Sequence, residues 1–176
     1  MKKTFIRHIP VGAGGLASVT FDNIPQTFTD LYLIYKARTT RSNVAVDNML
    51  LSINGQGNSV NITNKYFGAD GSATFTSVGG ADGGLATTAV ATTNVFSNTT
   101  IYIPNYTNGD AKSFSVDSVM ENNAAYSVLT IASSTWAQSA AINSITLDGA
   151  NGDIVEYSSF TLYGITAGSD GITTVS

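Results

Sequence analysis

One stretch of this sequence, residues 12–17, has glycines at the spacing that cofactor chemistry uses. Its pattern G-x-G-G-x-A matches the fingerprint that holds a dinucleotide pyrophosphate at a turn between a strand and a helix. A dinucleotide site at these residues would therefore require a helix after Ala17. The chain continues as SVTFDNIPQTFTD, where residues 19–21 are β-branched or aromatic and Pro25 disfavours a helix. We predict a glycine-rich turn and no cofactor site.

Side chains for acid–base or nucleophilic catalysis are scarce. His8 is the only histidine, so a Ser-His-Asp triad would depend on a residue of the N-terminal segment. Glycoside hydrolysis needs two facing carboxyl groups. The only two glutamates, Glu121 and Glu156, are predicted near strand ends as solvated charges. We therefore predict a protein that is not an enzyme and has no catalytic residues.

Residues 147–153, LDGANGD, bring Asp148, Asn151 and Asp153 into one loop, and calcium prefers clustered oxygen ligands. The order of these residues differs from that of an EF-hand loop, and the final glutamate is missing. A turn rich in Asp, Asn and Gly forms without an ion, so we predict no metal here, with calcium as the alternative. The chain has no cysteine, which excludes disulfides and thiolate ligands.

The composition is polar but poor in charge. Of the 176 residues, 43% are hydrophobic and 11% charged, against ~25% charged in an average soluble domain. The length fits one domain. A net charge of −4 argues against nucleic-acid binding, which needs clustered Lys and Arg. No run approaches the ~20 apolar residues of a membrane span, so we expect no membrane-spanning segment. Arg7, His8 and Pro10 lie where the apolar core of a signal peptide would have to be, so we expect no signal peptide.

Apolar residues alternate with a period of two along much of the chain, which predicts β-strands. In residues 29–39, for example, Leu31, Leu33 and Tyr35 share one face. Within residues 103–110, the pair Asn108-Gly109 predicts a hairpin turn with positive φ angles. The same alternation predicts strands at residues 17–21, 49–54, 95–104, 112–120, 126–136, 142–148 and 157–165. The fold class expected from them is all-β, a single jelly-roll-like β-sandwich with a short extended N-terminal arm.

The sandwich is predicted over residues 16–166. An arm with a glycine-rich pivot precedes it at residues 1–15, and a tail follows at residues 167–176. Residues 68–84 contain GADG twice and are predicted as two turns around a short strand at residues 74–78. Such loops often carry recognition, and Trp136 is predicted as core or subunit interface. The candidate exposed recognition residues are Tyr66, Phe67, Asp70, Asp82 and Tyr106.

Three long blocks of the sequence resemble a family of small proteins of tailed bacteriophages, mostly marine and freshwater phages. The blocks begin at Gly14, Val95 and Ser133, and the last ends in YSSFTLYGI, similar to the terminal strand of that family. The resemblance extends over residues 12–165 and is weakest at residues 56–84. Members are described as virion structural, decoration or tail-fibre proteins. The resemblance therefore implies a β-sandwich on a phage particle and no known catalytic residues.

We expect a capsid decoration or cement protein that binds the major capsid protein or neighbouring virion proteins and stabilises the particle. It would assemble in the host cytoplasm as a homotrimer, for which the resemblance and the threefold sites of capsids are the support. Docking on an acidic capsid surface is assigned to the arm residues Lys2, Lys3, Phe5, Ile6 and Arg7. The alternative is a tail-fibre or tip module that binds host surface glycans.

Overall fold

The computed structural model of the chain describes residues 3–57, 62–69, 74–78, 83–123 and 125–166. These ranges contain β-strands and no helix, which confirms the all-β prediction. The strands are β1 (Lys3–Pro10), β2 (Ser18–Phe21), β3 (Asp30–Lys36), β4 (Val46–Ile53), β5 (Ile62–Ala69), β6 (Thr74–Val78), β7 (Leu85–Thr87), β8 (Asn98–Ile103), β9 (Lys112–Asn122), β10 (Tyr126–Trp136), β11 (Ile145–Gly149) and β12 (Ser159–Ile165).

The strands form two antiparallel sheets, and the predicted β-sandwich is confirmed. The larger sheet has the order β1-β12-β3-β8-β9-β10-β5-β6, and the smaller has the order β2-β11-β4-β7. Strands that follow one another in sequence, such as β2 and β3 or β11 and β12, lie in different sheets. The chain therefore crosses repeatedly between the sheets, as it does in jelly rolls, although the larger sheet is wider than that of an eight-stranded jelly roll.

The core lies between the two sheets because each strand turns its apolar positions inward. Leu31, Leu33 and Tyr35 of β3 are buried, as the alternation predicted, and they pack with residues of β4 such as Leu51 in one apolar cluster. Trp136 is also in this cluster and is 1% exposed, so its predicted burial is confirmed. The period of two in the sequence thus reports the two faces of each sheet.

The N-terminal segment is extended, as predicted, but it does not stand apart from the sandwich. From Lys3 to Pro10 it pairs with β12 as the edge strand β1 of the larger sheet. The register shifts between Phe5 and Arg7, which marks a β-bulge. Charged side chains, a bulge and a proline are the features that protect natural sheet edges from pairing with other chains. The predicted division into an arm at residues 1–15 and a sandwich at residues 16–166 is therefore corrected, because Lys3–Pro10 belong to the larger sheet.

The glycine-rich residues 12–15 form a turn, as predicted, and a strand follows them. Gly14 and Gly15 have φ angles of 92° and 71°, which other residues rarely adopt. The backbone N–H and C=O of Leu16 bond to the C=O and N–H of Ile154, both at 2.8 Å. A Cβ at Gly15 would lie 2.6 Å from the Ile154 carbonyl oxygen. Backbone conformation and close packing therefore explain these glycines.

Residues 103–110 connect β8 and β9, which pair antiparallel, so the predicted hairpin is confirmed. The predicted turn geometry is wrong, because Asn105, at a φ of 50°, has the positive angle and the pair Asn108-Gly109 has none. The connection is longer than a two-residue turn, and its shape depends on contacts with other segments. The backbone N–H of Asn105, for example, donates to the Asp30 carboxylate at 2.9 Å.

Candidate binding surface

Four aromatic side chains lie side by side on the outer face of the larger sheet. Phe5 of β1 is opposite Tyr163 of β12, Tyr163 is opposite Tyr32 of β3, and Tyr32 is opposite Tyr102 of β8. Directly opposite residues have Cβ atoms about 4.5–5.5 Å apart, so the four side chains are continuous. We call them the aromatic row. Phe5 is 60% exposed, and the three tyrosines are partly exposed.

Contacts within and around the aromatic row hold its rings in place. The rings of Phe5 and Tyr163 meet edge to face, with centroids 6.2 Å apart. The Lys3 ammonium lies 3.2 Å from the centroid of the Tyr32 ring, a cation–π contact. The Tyr102 hydroxyl donates to the Asp30 carboxylate at 2.8 Å. Burial, together with this bond and the Asp30 charge, raises the pKa of Tyr102 to about 12.

A second group of exposed apolar side chains lies on the same outer face, on β9 and β10. Val119, Leu129 and Ile131 are 44%, 36% and 50% exposed. Val119 is opposite Leu129, and Ile131 is the next outward residue of β10, opposite Asp117. We call these three the apolar patch. Exposed apolar side chains that lie together are typical of contact surfaces.

The residues predicted to dock on a capsid lie in β1, and several already have partners in the chain. Arg7 Nη1 is 2.5 Å from Asp22 Oδ1, and this bond lowers the pKa of Asp22. The ammonium of Lys3 covers Tyr32, and Ile6 packs against the core. The Phe5 side chain is 60% exposed, whereas Lys2 lies outside the described residues. The docking role of this segment stays a prediction.

The prediction that Tyr106 is an exposed recognition residue is wrong. Its side chain is 0% exposed, and its hydroxyl donates to the carbonyl oxygen of Pro25. Burial raises the pKa of Tyr106. Tyr106 instead holds the loop between β8 and β9 onto the core, and its backbone C=O accepts from Ile142 N–H at 2.9 Å. The sequence around Tyr106 does not show whether its ring points into the core or into water.

The other predicted recognition residues are placed only in part. Tyr66 and Phe67 belong to strand β5 and not to a loop, which corrects that expectation. Asp70 and Asp82 lie outside the described residues. The predicted recognition loops are therefore not assembled into a site by the part of the chain that the structure describes.

The residues of LDGANGD are spread over separate contacts. The Asn151 side chain donates to the buried carboxylate of Asp47 at 3.0 Å, and Asp148 lies in β11, where burial raises its pKa. Asp153 and Glu156 line a cleft of about 220 Å³ together with Gly14, Gly15, Thr40, Ile154 and Val155. In the described ranges, no group of three or more His, Cys, Asp or Glu side chains is placed to hold a metal ion.

His8 and Glu121, whose side-chain types can serve in acid–base catalysis, form hydrogen bonds with neighbouring segments of the fold. His8 Nδ1 lies 2.8 Å from the Thr161 hydroxyl on the outer face of the larger sheet. Glu121 accepts from the backbone N–H and the hydroxyl of Thr92, at 2.8 and 2.9 Å. This arrangement positions the loop before β8 against β9. Both residues therefore form hydrogen bonds between neighbouring segments of the fold.

No protein-family model, curated protein or solved structure matches this chain. Within the residues that the structure describes, we find no helix with the length and hydropathy that crossing a membrane requires.

The aromatic row and the apolar patch were not recognised from the sequence. The sequence did contain a signal for the aromatic row, because Tyr32, Tyr102 and Tyr163 each follow an inward-facing Leu or Ile and so face outward. Their alignment depends on strand order.

Proposed function

We propose that this chain is a non-enzymatic structural protein of a bacteriophage virion, a capsid decoration protein that binds a neighbouring virion protein. The virion assignment is supported by the resemblance of its sequence blocks to small phage proteins. The binding role is supported by the exposed apolar patch of Val119, Leu129 and Ile131 on the outer face of the larger sheet. A partner that covers these side chains removes apolar surface from water, which is favourable by about 25 cal/mol per Å².

The surroundings of the apolar patch fit a protein interface. Stable interfaces have an apolar centre that excludes water and a polar rim. Asp117, Ser127 and Ser133 are exposed outward positions of β9 and β10 around the patch. The apolar patch therefore forms the centre of this surface, and these three polar side chains form its rim. In this proposal Ile131, the most exposed of the three apolar residues, is the anchor.

Labelling and binding to purified particles test the proposal. An antibody against the chain, detected by electron microscopy, should mark the phage head; a label confined to the tail would contradict decoration. Ile131→Asp should lower the occupancy of particles about tenfold, because a carboxylate then enters the apolar centre. Ser133→Asp adds the same charge to the same face of β10 at the rim and should keep occupancy near normal. Equal retention of both variants would count against the patch.

The decoration proposal includes a homotrimer, matched to threefold positions on a capsid. Its support is the resemblance together with the frequency of threefold sites on capsids. Light scattering on the purified chain measures the mass directly. A monomeric mass at micromolar concentration would remove trimer formation from the proposal and leave the particle-binding claim to be judged by the labelling experiment.

A second candidate function is the binding of host surface glycans, as in a tail-fibre or tip module, and the aromatic row is the observation that favours it. Sugar rings stack on exposed aromatic faces beside polar groups, and Thr161 and Asp30 flank the row. Binding to a glycan array should then be lost in Tyr163→Ala. Tyr157→Ala is the matched control, because Tyr157 is 66% exposed and lies outside the row. Specific glycan binding lost only in the first variant would favour this candidate over decoration.

A further inference from the structure

The sequence contains three asparagines that are followed by glycine, namely Asn54, Asn108 and Asn151. In such pairs the backbone nitrogen of the glycine can attack the side-chain carbonyl of the asparagine, since glycine has no Cβ to obstruct the approach. The attack needs an asparagine side chain that is free to turn back onto its own backbone. The three sites differ in this freedom.

The side chain of Asn54 is held by three hydrogen bonds. Its Nδ2 donates to the Ala141 carbonyl at 2.8 Å. Its Oδ1 accepts from the backbone N–H groups of Asn143 and Ser144, at 2.9 and 3.1 Å. These bonds tie the loop after β4 to the segment before β11. All three must break before the amide can react, so Asn54 is protected.

Asn151 is protected in a different way. Its Nδ2 donates to Asp47 Oδ1 at 3.0 Å, and the Asp47 carboxylate is fully buried. The following glycine is closely packed, because a Cβ at Gly152 would lie 2.5 Å from the backbone nitrogen of Arg41. The nearby carboxylate also opposes the negative charge that develops on the attacking nitrogen.

Asn108 is exposed and weakly held. Among the residues that the structure describes, its side chain contacts only Asp110, at 3.3 and 3.4 Å, which are long for hydrogen bonds. The space around the next residue is open, since a Cβ at Gly109 would meet nothing within 4 Å. The Asn108 side chain is therefore held only by two long contacts, and the backbone at Gly109 is not crowded.

The ammonium of Lys112 contacts the same peptide group that must react. Lys112 is 1% exposed, and its Nζ donates to the carbonyl oxygen of Asn108 at 2.8 Å. It also donates to the carbonyl oxygens of Asp110 and Ala140, the latter at 2.7 Å, so its position is fixed. When the Gly109 nitrogen loses its proton, the negative charge is shared with the Asn108 carbonyl oxygen. A positioned cation at that oxygen stabilises the anion, as the donors of an oxyanion hole do.

We propose that Asn108 is a site of self-catalysed deamidation and that Lys112 is its positioning and activating residue. The Gly109 nitrogen gives its proton to water and forms a bond to Cγ of Asn108. The Cγ–Nδ2 bond then breaks, and Nδ2 leaves as ammonia with a proton taken from water. Water opens the resulting five-membered imide at either carbonyl, which yields aspartate or isoaspartate. The net reaction consumes one water and releases one ammonia, with no change in oxidation state.

The rate of this reaction in the folded and the unfolded chain tests the proposal. Wild-type protein is incubated in mildly alkaline buffer with and without urea, and the three sites are followed by peptide mapping with mass spectrometry. Asn108 should react about tenfold faster in the folded chain than in urea, because only the fold places Lys112 at its carbonyl. Asn54 and Asn151 should react faster in urea. Deamidation of Asn108 that is equal or slower in the folded chain would overturn the proposal.

Lys112→Met separates activation from simple exposure of the loop. In this variant the Asn108 rate in buffer should fall about tenfold, to its rate in urea, since the cation is gone. Asn54 and Asn151 act as internal reporters of folding and should stay unreacted. An unchanged Asn108 rate with both reporters intact would show that Lys112 has no part in the reaction. If the reporters react, the variant is unfolded, and the comparison of wild-type rates with and without urea decides alone.

Discussion

Replacing Gly164 by alanine should destabilise the protein through a single contact, that with Phe28. Gly164 lies in β12, and the Phe28 ring packs against its backbone on the core side. An added Cβ would lie no farther than 2.6 Å from the Cγ, Cδ1 and Cδ2 atoms of Phe28. Carbon atoms pack at about 3.5–4.0 Å, so the ring must move by ~1 Å or more and leave its site. Three ring atoms are involved, so a small rotation does not relieve the overlap.

The size of the effect follows from what Phe28 loses. Complete removal of a buried phenylalanine side chain costs about 3–5 kcal/mol, and Phe28 is only partly buried, so its displacement should cost about 2–3 kcal/mol. Alanine in place of glycine returns about 0.5–1 kcal/mol, because the unfolded chain is less free. The net loss is about 2 kcal/mol, which corresponds to a fall in Tm of roughly 4–8 °C for a chain of this length.

Urea denaturation of a double-mutant cycle measures this contact. In the Phe28→Ala background, Gly164→Ala should be neutral or slightly stabilising, because the overlapping ring is absent. Gly12→Ala is the control, since a Cβ at Gly12 meets nothing within 4 Å and should change the free energy of unfolding by less than about 0.5 kcal/mol. An equal cost of Gly164→Ala in both backgrounds would refute the role of Phe28.

Three further predictions concern polar groups that are buried or partly buried. Arg38 donates to three carbonyl groups of residues 91–95, so Arg38→Met should lower the free energy of unfolding in urea by about 2–4 kcal/mol, with Arg38→Lys recovering only part because an ammonium lacks the fork. Burial raises the pKa of Asp148 above 3.8, which disfavours its charged form. Asp148→Asn should therefore raise Tm at pH 7, and this gain should vanish as pH falls through the folded-state pKa; a constant gain would contradict the reasoning. In an ultraviolet titration the Tyr102 phenol should ionise near pH 12, and this step should be absent in Tyr102→Phe and shifted downward in Asp30→Asn.

The position of β1 changes how docking by the N-terminal segment can be tested. Deleting residues 2–10 would remove an edge strand and expose β12, so lost capsid binding could follow from a damaged sheet. Phe5→Ala is the cleaner change, because the Phe5 side chain is 60% exposed and its ring meets the ring of Tyr163 edge to face on the surface of the sheet. Loss of binding in this variant with an unchanged Tm would favour docking through β1.

Much of the fold could be predicted from the sequence because β-strand periodicity is local. The alternation in residues 30–36 identified β3 and its inward face, and the same reasoning located β2, β9, β10 and β12 within a few residues. β1 was missed because charged residues and Pro10 are atypical of a central strand but are accepted at an edge. β7 was missed because three residues, Leu85–Thr87, are too few to show a period.

By itself, the sequence determined that the chain forms an all-β sandwich, that a strand and not a helix follows the glycines of residues 12–17, and that Trp136 is buried. Each of these depends on residue types within a short window. Only the tertiary structure decided that Tyr32, Tyr102 and Tyr163 form one row, because their strands are far apart in sequence and adjacent in the sheet. It also decided which of three identical Asn-Gly pairs is free to react. That difference is set by distant partners such as Ala141 and Asp47, which no local pattern encodes.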